Sequence, residues 1–247
     1  RDMSIPKKIH YCWFGGKPLP RAAERCIASW KRFCPDYELV RWDESNVNIQ
    51  ENRYAAQAYA AGKWAFVSDY FRLKAVYEHG GVYLDTDVEL IKSLDVLTER
   101  FDGFFGYEDD TLIATGLGFG AKAGDRFVAA MLADYAGISF VAADGSFDQT
   151  PCPQRNTAAL QALGVDPAVK NQVIDNVCFL EPAVLCPIRF ATGEKKITPA
   201  TVSVHHYDAS WCSDVTKRTK RLKRLIGIRA YDFLYGRFLH RSKRWEW

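Results

Sequence analysis

The chain has 247 residues, enough for one large domain, and its 48% apolar and 14% aromatic content implies a packed core rather than disorder. No run approaches the roughly eighteen apolar residues of a membrane span, and Arg1-Asp2-Met3-Ser4 lacks the apolar stretch of a secretory leader. The net charge of +3 hides an asymmetry: residues 217–247 hold eleven Lys and Arg against Asp232 and Glu246, so an acidic body carries a basic end.

In chain order, Lys8–Phe14 reads as a first strand, stopped by Gly15-Gly16 and Pro18. Arg21–Arg32 has helical spacing at Ala23, Cys26, Ile27 and Trp30, and Pro35 closes it. Tyr37–Trp42 alternates as a second strand. Tyr54–Ala61 predicts a short helix and Trp64–Glu78 a longer one, which stops at Gly80-Gly81 before an apolar strand, Val82–Leu84. Phe104–Tyr107 and Leu117–Ala121 predict further strands, Asp125–Tyr135 a helix, and Asp144–Pro153 a loop near a binding face. Asn156–Leu163 fits a helix, while Val177–Leu180 and Thr201–His206 fit strands. Strands alternating with helices argue for an open α/β sheet, whose ligands gather beyond the carboxyl ends of the strands. Seven cysteines, odd in number and without a CxxC pair, argue against a disulfide framework or a thiolate zinc site and for a reduced, cytosolic chain.

The strand at Val82–Leu84 delivers two carboxylates, Asp85 and Asp87. If the strand continues through them, both project to one face and Thr86 to the other. Two close like charges need compensation, and a hard divalent ion with oxygen ligands provides it while also holding a diphosphate. Asp69 and Arg72 lie three apart on the preceding helix, hence on one face. Alone they would be a surface ion pair worth a few tenths of a kcal/mol, that is about 0.3. Their helix, however, turns straight into the paired carboxylates, where Arg72 suits phosphate and Asp69 suits sugar hydroxyls. Trp13, at the end of the first strand beside two glycines, offers a face for a nucleobase, although most tryptophans are core residues. His205 and His206 point to opposite faces of their strand, so one of them, not specified by the sequence, can join a site with Asp87. Imidazole favours a transition-type ion such as Mn²⁺ over Mg²⁺.

Phe66-Val67-Ser68-Asp69, Arg72 and Gly80-Gly81-Val82-Tyr83-Leu84-Asp85-Thr86-Asp87 together resemble the signature of the DxD sugar transferases. That group includes glycosyltransferase family 32, with bacterial capsular and glycolipid enzymes, and the glucosylating domains of large clostridial toxins. Ile5-Pro6-Lys7-Lys8-Ile9-His10 with Trp13 and Gly15-Gly16 matches the family's first strand, and His205-His206 with Ser210-Trp211 its C-terminal element. The resemblance implies a Rossmann-like GT-A domain with a mostly parallel sheet over residues 1–212, and the charge pattern adds a basic, aromatic helical segment at 213–247. The resemblance also implies retaining transfer of a hexose from a nucleotide sugar, UDP-linked, to a glycan or lipid-linked acceptor, with Mn²⁺ or Mg²⁺. Carried over by motif, Trp13 would stack on the base, and Asp69 and Arg72 would hold donor hydroxyls and diphosphate. Asp85 would contact ribose, sugar or metal, Asp87 would bind metal directly with His205 or His206, and Ser210 and Trp211 would close over the diphosphate. The acceptor segments, 108–120 and 144–157, carry no pattern of their own; Thr115, Gly116 and Gln149 are positional candidates there.

Two other readings compete. A haloacid-dehalogenase-type phosphatase also uses an apolar strand and Asp-x-Asp, with Asp85 then the nucleophile, but its strand stands near the chain start and a small Gly-Thr-type continuation follows. A non-enzymatic adaptor would bind membranes or polyanions through residues 217–247, where Arg and Lys interleave with Tyr, Phe and Trp. As part of an enzyme, the same segment would place it peripherally on the anionic inner membrane face. Nucleic acid is disfavoured by the acidic body.

Overall fold

The computed structural model describes residues 5–189 and 193–207. Ser210, Trp211 and the basic segment 213–247 lie outside the described residues. β1 (Lys8–Cys12) sits between β2 (Glu38–Trp42) and β3 (Gly81–Tyr83), parallel to both. β6 (Phe119–Ala121) runs antiparallel between β3 and β5 (Gly103–Gly106). β8 (Val177–Leu180) is parallel to β5, and β7 (Gln172–Ile174) closes that edge antiparallel to β8. Five of the seven strands therefore share one direction, with β6 and β7 opposed. This is the mostly parallel α/β sheet expected of a GT-A domain.

Each sheet face buries a separate set of side chains, as the two-residue period of a strand requires. Tyr83, Phe105, Phe119 and Phe179 pack with Phe66, Phe71 and Val76 of α3 (Trp64–His79) and Phe127 of α5 (Arg126–Asp134). On the other face, Ile9, Val82 and Phe104 meet Ile27 and Trp30 of α1 (Arg21–Phe33). Phe105 stacks between Phe119 and Phe179, at 5.6 Å from each ring. A sheet covered on both faces holds its strand ends still, which matters because functional side chains stand on those ends.

α3 is buried along most of its length, including Asp69 and Arg72. It ends at Gly80, whose φ of 62° and ψ of −179° belong to a region used essentially by glycine alone. A side chain at Gly81 would meet the Lys8 carbonyl at 2.9 Å, so β3 can lie against β1 only as glycine enters it.

Several expectations are corrected. β3 ends at Tyr83, and Asp85–Val88 is a turn closed by the Val88 amide on the Asp85 carbonyl at 3.0 Å. The carboxylates thus converge through a turn, not by strand alternation. The expected strand at Leu117–Ala121 begins only at Phe119, after a short 3₁₀ turn at Thr115–Leu117. The helix expected at Asn156–Leu163 is α6, Cys152–Gln161. It starts earlier because Pro153 occupies its first turn, where a missing amide hydrogen costs nothing. The strand at Thr201–His206 shortens to β9 (Ser203–His205) and leaves the main sheet, pairing instead with β4 (Val88–Leu90).

Candidate active site

The β4–β9 pair decides which histidine reaches the Asp85–Asp87 turn. Val88 stands opposite His205, so the residue preceding β4, Asp87, meets His205 at the end of β9. His205 Nε2 lies 3.1 Å from Asp87 Oδ1. One residue on, His206 faces the other way, half-exposed, with Nε2 2.8 Å from Glu89 Oε2. His206 is therefore not brought into the cluster. Ligand atoms of Asp85, Asp87 and His205 all lie within 4.8 Å of one another. Burial opposes a charged imidazole, but the carboxylates around it, Asp87 foremost and Asp85 and Glu108 with it, hold the His205 pKa above its usual value. Two carboxylates and an imidazole converging from three directions form a donor set that suits a Mn²⁺-like ion.

Behind this group, Arg72 is buried to a side-chain exposure of 5%. Its NH2 stands 3.1 Å from Asp69 Oδ1 and 3.3 Å from Asp85 Oδ1, and its NH1 donates to Cys152 Sγ at 3.6 Å. The guanidinium lies over the Tyr83 ring, 5.2 Å from its centroid, while the Tyr83 hydroxyl donates to Asp85 Oδ1 at 2.7 Å. One tyrosine therefore orients both the arginine and the first carboxylate of the motif. Burial holds the carboxyl pKa of Asp69 and of Asp85 above the ordinary value, and Arg72 offsets only part of that rise. The surface ion pair considered from sequence is instead a buried Asp–Arg–Asp group. Breaking such a group strands a charge and costs roughly 3–5 kcal/mol. Arg72 Nε has no hydrogen-bond partner among the described residues.

These groups open on one cleft of about 510 Å³, lined by Trp13, Asp69, Arg72, Asp85, Asp87 and His205 among others. Trp13 extends β1 through its amide on the Trp42 carbonyl at 2.9 Å, and its indole donates to the Lys17 carbonyl at 2.6 Å, tying the glycine loop closed. A Cβ at Gly15, where φ is 92°, would stand 2.7 Å from the Trp64 ring. The positional candidates separate. Gly116 packs so closely that a Cβ there would lie 2.6 Å from Asp85 Oδ2. Gln149 is exposed and lines the cleft. Thr115 is buried and accepts from Asn156 Nδ2 at 3.0 Å.

The sequence reading missed two residues that line the cleft, Cys152 and Glu108, and one behind it, Tyr83, which holds Asp85. Tyr83 lay inside the motif but looked like strand filler. Cys152 sat between two prolines in what read as a loop. Glu108 carried no periodic signal.

Residues 20–102 match the family model described as glycosyltransferase sugar-binding region containing DXD motif. No match is found among curated proteins. Among solved structures, the chain resembles one titled PaToxG glycosyltransferase at 19% identity, covering 65% of this chain and 70% of that one, with a TM-score of 0.47. It also resembles a glycosyltransferase involved in glycosylation of the major capsid of PBCV-1, at 12% identity, covering 85% of this chain and 96% of that one, with a TM-score of 0.43. The matched segment holds Asp69, Arg72, Asp85 and Asp87, and with its DXD motif it brings glycosyltransferase enzyme chemistry to this chain.

Proposed function

We propose that the protein is a metal-dependent, retaining glycosyltransferase of the family 32 and clostridial-toxin kind, moving a hexose from a UDP-sugar to a glycan or lipid-linked acceptor. The observation that carries this reading is the convergence of Asp85, Asp87 and His205 beside the buried Arg72 in one cleft. Asp87 and His205 are the residues that would hold Mn²⁺ or Mg²⁺. A bound ion there supplies positive charge to a departing diphosphate. Arg72, fixed by Asp69, Asp85 and the Tyr83 ring, adds a second positive charge that needs no rearrangement during reaction, which is where preorganised electrostatics count most. Asp69 accepts from donor hydroxyls, and Trp13 offers its ring to the base. Asp85 keeps one oxygen on Tyr83 and Arg72, leaving Oδ2 on the Gly116 side for ribose or sugar contact. In a same-face transfer the acceptor oxygen bonds to the anomeric carbon as the carbon–phosphate oxygen bond breaks. The acceptor's proton passes to the leaving phosphate oxygen.

The phosphatase reading, with Asp85 as nucleophile, predicts instead Mg²⁺-dependent release of phosphate from small phosphomonoesters. The transferase reading predicts that UDP with Mn²⁺ raises the melting temperature and that a UDP-hexose undergoes metal-dependent hydrolysis. Failure of every nucleoside diphosphate to shift melting would contradict it.

A further inference from the structure

The family signature places no chemistry on the cleft wall facing the DXD turn, yet that wall carries a carboxylate. β3 and β5 both run antiparallel to β6, and Tyr83 and Phe105 stand opposite the same residue, Phe119. The chain leaving β5 therefore emerges at the same sheet edge as the Asp85–Asp87 turn, two strand spacings or about 9.6 Å across. The first polar side chain of the cleft on that side belongs to Glu108, half-buried. Its backbone is held in place. Tyr107 bridges to Ile113, the Glu108 amide donates to the Leu112 carbonyl at 2.7 Å, and Asp109 Oδ1 accepts from the amides of Thr111 and Leu112.

We propose that Glu108 is a catalytic residue of the transfer, its carboxylate facing the donor's anomeric carbon from across the cleft and accepting a hydrogen bond from the incoming acceptor hydroxyl. The inference rests on the transferase reading. Glu108 lines the same cleft as Asp85, Asp87 and His205 on the metal-facing side and Arg72 and Cys152 behind it. A fixed negative charge there favours the positive charge that develops on an oxocarbenium-like sugar. The acceptor proton still ends on the leaving phosphate oxygen, so Glu108 is unchanged over the cycle.

The test uses the full chain, UDP with Mn²⁺ for binding, and hydrolysis of whichever UDP-hexose the wild type turns over. Glu108→Gln should keep the UDP–Mn²⁺ melting shift and a near-normal KM while kcat falls on the order of a hundredfold. Asp110→Asn, an exposed neighbouring carboxylate paired with Arg189, should behave as wild type. If Glu108→Gln does not fold, Glu108→Asp, which keeps the charge but withdraws it, should lose kcat in the same way. Wild-type kcat in the glutamine variant overturns the inference alone, and so does a lost UDP shift in a folded variant, which would make Glu108 part of donor binding. A wild type without metal-dependent turnover overturns the transferase reading together with it.

Discussion

The two walls of the cleft are built differently. The DXD wall rises from α3 and β3, both packed in the core, and its polar groups hold one another: Arg72 touches Asp69, Asp85 and Cys152, and Tyr83 touches Asp85. The opposite wall is largely loop, with Glu108 and Leu112 from one segment and Pro151 and the exposed Gln149 from another. A donor common to many transferases is best gripped by charges that cannot move. An acceptor that differs between enzymes is met by loops that can change without disturbing the core.

Breaking the rigid wall should cost most at Arg72. Arg72→Ala leaves Asp69 and Asp85 buried without their cation, so stability should fall by roughly 3–5 kcal/mol in urea titration, with donor binding lost as well. A small change in stability would mean that the two carboxyls are already neutral. Tyr83→Phe is a finer cut, since it keeps the ring beneath Arg72 and removes only the bond to Asp85. It should cost about 1–3 kcal/mol in kcat/KM. Unchanged kinetics would remove Tyr83 from the positioning role.

The smallest effect concerns the strut behind the wall. His10 is buried on β1, with Nε2 on the Gly80 carbonyl at 2.8 Å and Nδ1 accepting from Trp42 Nε1 at 3.1 Å. Burial lowers its pKa from 6.5 to about 4, partly offset by the Gly80 bond. The unfolded chain therefore binds this proton first as pH falls, so stability present above about 6.5 declines as pH drops towards 4. The loss should reach at most about 3 kcal/mol, and His10→Gln, which cannot titrate, should flatten that part of the urea-midpoint profile. An equally steep decline in the variant would assign it to other groups.

Much of the rigid wall was legible because its cues are local. Asp69 and Arg72 are three apart on a helix, Gly80-Gly81 ends it, and Asp85 and Asp87 follow at once. The reason first given for their convergence, strand alternation, was not the one that operates, because a turn at Asp85–Val88 does the work. The choice between His205 and His206 was hidden because it depends on which residue of β4 stands opposite β9, a pairing across more than a hundred positions. β4 and β7, at three residues each, are too short to show alternation. Glu108 was invisible for a different reason: a lone carboxylate in a loop acquires meaning only from the strand that aims it.

The most direct measurement is the melting temperature with and without UDP and Mn²⁺, in the wild type and in Asp87→Ala. A rise in the wild type that needs both UDP and metal and disappears in Asp87→Ala is the predicted result. No rise, or an equal rise in Asp87→Ala, would contradict the claim that this turn holds the donor through a metal.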